Sequence, residues 1–399
     1  MSRGALVAVG GHRITFRVVV VPAHKYMAST PALHGLKAID LSTVLAGPNC
    51  ARYLADFGAD VIKIERPDTG DSLRNMAWRD PEDGEGLWWR FVNRNKRTID
   101  LDLKKAEDAA VFLRLIDEAD VLVENLRPGI LERLGFGPDV LLARNDKLVI
   151  TRITGFGQTG PYASRPGFAS IAESMGGVAG ISGQPGGEPM LPAFAMTDEI
   201  TALVGAFATM VALHSGKGQV VDVSLLESIF HIMGPLISVW KTRGEMQERM
   251  GSGIPYTVPR GVYQCSDGKY IGISASSDSV AGRVVKLLGF EGDPRFASFN
   301  SRVENRVELD DAMRQWCAQR TQEEALAQMS DADAAAGPIM SMEDIANDPH
   351  YAFREAIVEL DGTPMQGLIA KLSETPGVLN WRGKSRNADG DSIRENGWG

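Results

Sequence analysis

The chain is poor in the residues from which many metal and nucleophile sites are built. Its 399 residues include three cysteines and six histidines. Cys50, Cys265 and Cys317 lie far apart and form no CxxC pair, which excludes a disulfide framework or a structural zinc site and points to a reducing compartment. The histidines (His12, His24, His34, His214, His231 and His350) never fall at metal-ligand spacing. His214 and His231 lie on apolar helical stretches and read as packing or surface residues. No metal is expected. The first βα turn, Ser42–Pro48, does not read GxGxxG, and Walker A, HExxH, GxSxG and kinase signatures are missing, so the usual pyrophosphate cradle, zinc peptidase and serine hydrolase chemistries are not encoded. A basic excess is missing too. The chain has 42 Lys and Arg against 51 Asp and Glu, a net charge of −9, which excludes a general nucleic-acid binder. It has no run of about 18 uncharged apolar residues, so no membrane span is expected.

Acids are absent from the first 39 residues. Asp40 is the first, while Arg3, Arg13, Arg17, Lys25 and Lys37 precede it. Such a leader resembles an organellar transit peptide. The other reading is an overlong start with Met27 as the natural first residue, and the lack of an amphipathic helix around Val18–Val21 favours it. Residues 1–33 are set aside from the fold on either reading. The expected location is the cytoplasm, or the mitochondrial matrix if the leader is a transit peptide.

With 44% apolar and 23% charged residues, the chain is a folded one with length for two or three domains. From residue 34 it alternates short strands and helices. Strands are predicted at Leu36–Leu41, Asp60–Ile64, Arg97–Leu101, Val121–Glu124 and Leu148–Gly155, with helices at Asn49–Phe57 and Ala106–Glu118. This alternation predicts an α/β fold with a parallel sheet covered on both faces. A stretch with six glycines, Met175–Gly187, precedes a long helix at Asp198–His214, a strand at Val220–Val223 and an apolar helix at Leu225–Trp240. A second region opens near Met250, with a hairpin over Val262–Ile273 and helices near Ser279–Leu288 and Glu308–Arg320.

Two features invite chemistry. Basic residues cluster near predicted strands: Lys63 with Arg66; Arg94, Lys96 and Arg97 with Lys104; Arg127 with Arg133. In a parallel sheet the carboxyl ends of the strands share one edge, so such cations suit a phosphate-bearing ligand, although composition alone reads them as solvated surface. Asp198 stands where a long helix should begin. Free N–H groups stabilise an anion there, which suits either a plain helix-start residue or a carboxylate nucleophile.

The strings Gly58–Pro67 (GADVIKIERP), Asn93–Arg97 (NRNKR), Val121–Gly129 (VLVENLRPG), Gly155–Pro161 (GFGQTGP) and Gly216–Val221 (GKGQVV) resemble those of the class III CoA transferases, in the same order. The resemblance runs from about residue 34 to about 380. It implies an open Rossmann-like large domain, a smaller α+β domain and two chains interlocked as a homodimer. The implied domains are residues 34–225 as the first part of the large CoA-binding domain, 226–345 as linker helices and small domain, and 346–399 as the return to the large domain with a polar tail. Relatives carry a further helix there, so Asn387–Gly399 reads as too short and polar to finish the packing.

The family's nucleophilic Asp matches Asp198, with Thr197 replacing the usual glycine and offering a capping hydroxyl. Its CoA contacts match Arg66, Leu101 to Lys104, Asn125 to Arg127, and Arg133. Leu45 and Ala46 stand in the early loop and could contact CoA only by backbone or packing. Leu45 replaces a polar residue of formyl-CoA transferase, which argues against formate or oxalate. On this reading Arg66, Arg97, Lys104, Arg127 and Arg133 are gathered at one sheet edge. Gly251 and Gly253 correspond to a mobile lid, or else form a flexible connector. Glu173 is placed in the substrate pocket and Glu199 in solvent. The related α-methylacyl-CoA racemases need a base on each face of the α-carbon, a His and an Asp assisted by a Glu; the His position matches Phe168 and the Glu position Ser277, so only Asp198 survives and one carboxylate cannot serve both faces. The resemblance therefore favours CoA transfer through an aspartyl anhydride and an aspartyl-CoA thioester over a racemase or a non-catalytic CoA-binding protein. It implies no tightly bound cofactor, with acyl-CoA and a small carboxylic acid as substrates; succinyl-CoA and a dicarboxylate are the common pair.

Overall fold

The computed structural model describes residues 6–9, 12–15 and 30–399, so most of the leader lies outside the described residues. The chain divides into two compact units. The first comprises the chain up to Gly177, Pro192–Met233 and Asn347–Gly399; the second comprises Val178–Leu191 and Gly234–Ala346.

The first unit is built on six parallel strands: β1 (Lys37–Asp40), β2 (Asp60–Glu65), β3 (Lys96–Asp100), β4 (Val121–Glu124), β5 (Val149–Thr154) and β6 (Gln219–Ser224). They stand in the order β3-β2-β1-β4-β5-β6. Every residue of β4 and β5 is buried, as expected of a sheet covered on both faces. Ile39, Ile62, Ile99, Leu122 and Ile150 form the middle of the core. Phe112, Leu115 and Ile116 of the Ala106–Ile116 helix cover it on one face. Strand order reverses between β1 and β4, and that switch point is where ligands of such sheets bind, outside the carboxyl ends.

Two close approaches shape the ground beneath the switch point. The Ala46–Asp56 helix starts directly after β1, and a Cβ on Gly47 would lie 2.3 Å from that of Ser42. On the Met196–His214 helix, a Cβ on Gly205 would come within 3.1 Å of the Cys50 sulfur. Only glycine lets these two helices lie so near. Met196–His214 is the one described helix long and apolar enough to cross a membrane, with a mean hydropathy of 1.4. Its Thr201, Ala202, Gly205, Ala206, Thr209 and Ala212 are buried within the protein and its first turn carries Asp198 and Glu199, which is the make-up of a core helix.

Three expectations need correction. The Leu225–Trp240 stretch is two helices, Leu225–His231 and Leu236–Arg243, because Gly234 takes a φ of 62° and Pro235 follows it. The glycine-rich stretch contains a helical turn at Val178–Ile181. The polar C-terminal segment is part of the core. Gly390–Asn396 is helical, Ile393 and Trp398 are buried, and the Trp398 indole donates to the Leu115 carbonyl at 3.0 Å. Its polarity serves the free edge of β3: the Thr98 N–H donates to Asp389 and the Asp100 N–H to Asn387, each at 2.9 Å.

The second unit has a three-stranded antiparallel sheet, with Tyr270–Ser274 between Arg260–Gln264 and Ala336–Pro338. The predicted hairpin is its first pair. Helices Asp278–Leu287, Arg306–Ala318 and Gln322–Asp331 pack on a core containing Cys265, Ile271, Met313 and Cys317. All three cysteines are buried free thiols.

Candidate functional site

The site begins with the Ser42–Leu45 loop at the switch point. Five of its polar backbone groups are held by side chains from outside. The Ser42 N–H and hydroxyl donate to Asp40, and the Lys63 ammonium donates to the Ser42 carbonyl. Asn125, just after β4, brackets Thr43: its Oδ1 accepts the Thr43 N–H at 2.8 Å and its Nδ2 donates to the Thr43 carbonyl at 2.7 Å. Asp71 accepts the Val44 N–H at 3.1 Å. Val44 itself has a φ of 68°, an unfavourable backbone for a β-branched residue, and these bonds hold it there. Leu45 and Ala46 follow, buried at the start of the helix.

The other candidates follow the carboxyl ends of neighbouring strands. Arg66 comes after β2, Leu101 and Lys104 after β3, and Arg127 and Arg133 after β4. Leu101 is buried in the core, so its side chain supports the edge from beneath. Arg66, Lys104, Arg127 and Arg133 are exposed, and among the described residues none has an ion-pair partner.

The remaining predicted cations have structural roles. Arg97 opens β3 at the opposite edge, where it binds Asp60 with two bonds of 3.0 and 2.6 Å and donates to the Trp398 carbonyl. Lys63 and Lys96 are fully buried around Asp40: the Lys96 ammonium donates to Asp40 at 2.8 Å, Pro48 O at 2.7 Å and Asn93 at 2.9 Å, and Lys63 lies 3.1 Å from Asp71. Burial works to raise the Asp40 carboxyl, but the two ammonium groups outweigh it and hold it low. Arg94 is buried on Asp56. Arg94, Lys96 and Arg97 are matched by acids 38, 56 and 37 residues away, which local sequence could not reveal.

Asp198 lies in the first turn of the Met196–His214 helix. The helix has Ala195 at its N-cap and no side-chain cap. Among the described residues no donor or cation engages the Asp198 carboxylate. Burial first, and then the negative charges of Glu199 and Glu173, push its pKa up to about 6. The Thr197 hydroxyl does not cap the helix; it donates to buried Glu173 at 2.8 Å.

Glu199 is half-buried and bonded, where a solvated residue was expected. Its carboxylate accepts from Asn49 Nδ2 at 2.7 Å and from the Tyr53 hydroxyl at 2.9 Å, with Arg52 at 3.7 Å. Asn49, Arg52 and Tyr53, one turn apart on the Ala46–Asp56 helix, are the residues sequence reasoning missed. Their i, i+3 and i+4 spacing within a buried helix was the available signal.

Phe168 is 66% exposed at the start of the Ala169–Met175 helix that carries Glu173. His214, the one histidine on the Asp198 helix, stands about 24 Å away along its axis. Ser277 caps the Asp278–Leu287 helix by accepting the Val280 N–H. Gly251 and Gly253 belong to the second unit, where the Gly251 N–H donates to Gly183 O at 2.8 Å. Among the described residues no cluster of three His, Cys, Asp or Glu could hold a metal.

A family model described as CoA-transferase family III matches residues 33–386. Among curated proteins, the succinyl-CoA–D-citramalate CoA-transferase of Chloroflexus aurantiacus is 37% identical over 363 residues, covering 88% of this chain and 90% of its own. The succinate–glutarate CoA-transferase of Agrobacterium fabrum is 35% identical, covering 87% and 90%. Among solved structures, a CAIB/BAIF family protein from Brucella suis superposes with a TM-score of 0.81 at 32% identity, covering 92% of this chain and 99% of that one.

Proposed function

The chain belongs to CoA-transferase family III, and from that premise we propose that it moves CoA from an acyl-CoA donor to a carboxylic acid with Asp198 as the covalent nucleophile. The observation that carries the assignment is an Asp carboxylate at a helix start with no donor or cation on it. A partly buried carboxylate without a compensating donor is a stronger nucleophile than one tied into an ion pair. An Asp oxygen attacks the thioester carbonyl, the C–S bond breaks, and CoA leaves as a thiolate. The thiolate attacks the Asp198 carbonyl of the mixed anhydride and releases the donor acid. The acceptor carboxylate then attacks the aspartyl-CoA thioester, and the freed thiolate takes the acyl group from Asp198. No proton is gained or lost over the cycle, so no general base is needed.

The unpaired cations Arg66, Lys104, Arg127 and Arg133 suit the phosphates of CoA, with the Ser42–Ala46 loop supplying a rigid floor. Succinyl-CoA and a dicarboxylate are the proposed pair, as the names of the relatives suggest. Leu203, Phe207 and Val211 expose an apolar face of the Asp198 helix, which supports the interlocked homodimer as the working unit. Phe168, standing where the racemases carry a histidine, counts against racemisation, which needs two opposed bases.

Incubation with succinyl-CoA followed by hydroxylamine should convert Asp198 to a hydroxamate, detected by peptide mass mapping. Asp198→Ala should abolish transfer while retaining CoA binding. Full turnover in that variant, or α-proton exchange without an aspartyl adduct, would overturn the reading.

A further inference from the structure

Two carboxylates flank Asp198, and the protein treats them differently. Glu199 is compensated by Asn49, Tyr53 and Arg52, and Arg52 is itself held by Asp56 at 3.0 Å. Glu173 is 4% exposed and accepts a single hydrogen bond, from Thr197. A buried carboxylate is costly, and one neutral hydroxyl is little return for it. A group kept at that cost beside a nucleophile calls for a functional account.

The charges on the other elements packed against the Asp198 helix are engaged elsewhere. Arg152 on β5 is bound by Glu124 and Glu132, Asp222 on β6 takes the Gln158 N–H, and Glu227 is bonded to Ser224. His231 ends the Leu225–His231 helix. Of all these groups, only Glu199 and Glu173 act on Asp198.

We propose that Glu173 is a positioning residue for Asp198: its buried carboxylate occupies the hydroxyl of Thr197, keeping that donor off the adjacent nucleophile, while its charge presses on the resting Asp198 anion until acylation removes it. The inference rests on the reading of Asp198 as nucleophile. A hydroxyl turned onto Asp198 would stabilise the anion and blunt its attack. Acylation converts Asp198 to a neutral anhydride, so repulsion from Glu173 is present before attack and relieved during it. Such a difference between ground and transition states raises kcat and leaves binding untouched.

The test uses the full chain. Glu173→Gln keeps an oxygen for Thr197 but removes the charge. Carbodiimide labelling of Asp198 against pH, without substrate, reads its protonation directly, and acylation at Asp198 by succinyl-CoA is timed by mass spectrometry. The variant should lower the labelling midpoint by about 0.5–1 pH unit. It should slow acylation roughly tenfold, with KM for succinyl-CoA within about twofold. An unchanged midpoint and acylation rate would overturn the proposal, as would a raised KM at unchanged kcat, which would make Glu173 a substrate contact. Thr197→Val guards against misfolding of the first variant. If the hydroxyl is merely being withheld, acylation should stay within about twofold, whereas a loss above tenfold would mean that the hydroxyl serves Asp198 and sink the idea. A wild-type protein that forms no Asp198 adduct would instead refute the nucleophile reading, and the labelling midpoints would still decide the positioning role.

Discussion

Asp198 and Asp40 are both carboxylates in the first unit, yet they sit in opposite settings. Asp40 has two buried ammonium groups and a serine on it; Asp198 has two like charges nearby and no donor. Their substitution should therefore act in opposite directions. Because the folded pKa of Asp198 is raised from 3.8 to about 6, the folded state holds its proton more tightly than the unfolded one. Its contribution to stability is present below about pH 4 and lost as pH rises through about 6. Asp198→Asn should thus stabilise the protein by about 1–3 kcal/mol at pH 8 and by little at pH 4, measured by urea unfolding at both pH values. Asp40→Asn takes the carboxylate from buried Lys96, leaves Lys63 with Asp71 alone, and should cost about 3–5 kcal/mol. The start of the helix that carries Asp198 was legible in the sequence, and the proposal of Asp198 as nucleophile came from that helix start together with the family resemblance. The lysine–aspartate centre was not, because Lys96 meets Asp40 across 56 residues and an isolated lysine in a strand pattern reads as surface.

At the scale of elements, the Ala46–Asp56 helix joins the two halves of the site. Its first residues complete the switch-point loop, and its Asn49 and Tyr53 grip the Glu199 next to Asp198. Asn125 fixes the other side of that loop, so Asn125→Ala should free Thr43 and Val44 to relax. The expected result is a rise of about five- to tenfold in KM for acyl-CoA with smaller loss in kcat, read by initial rates. Gly205→Val would drive a branched side chain onto Cys50 and should lower stability by about 1–3 kcal/mol. Strand positions in the sheet were readable to within a residue or two, since β2, β4 and β5 are short runs rich in Val, Ile and Leu between turn signals. The break at Gly234–Pro235 was passed over because the apolar residues continue on both sides of it.

For the whole molecule, net charge says little about the ligand. The chain is acidic at −9, but Arg66, Lys104, Arg127 and Arg133, without ion-pair partners among the described residues, follow the carboxyl ends of β2, β3 and β4. Arg66→Ala with Arg127→Ala should weaken CoA binding at least tenfold and flatten its dependence on salt, measured by titration calorimetry at two ionic strengths. The C-terminal segment is where sequence reasoning failed at this scale. Composition marks it as a tail because its Asn and Asp side chains do the work of a strand edge, a role that no periodicity announces.

That closure has a consequence during synthesis. Asn387 completes the edge of β3 from a position 287 residues downstream. At a translation rate of about 5–20 residues per second, β3 emerges roughly 15–60 s before its cover exists. Over that interval its outer N–H groups and the seat of Trp398 above Leu115 are open to solvent and to other chains. A nascent chain of this protein thus carries an unprotected sheet edge for most of its elongation, and its yield in cells should depend on holdase chaperones far more than its finished stability would suggest.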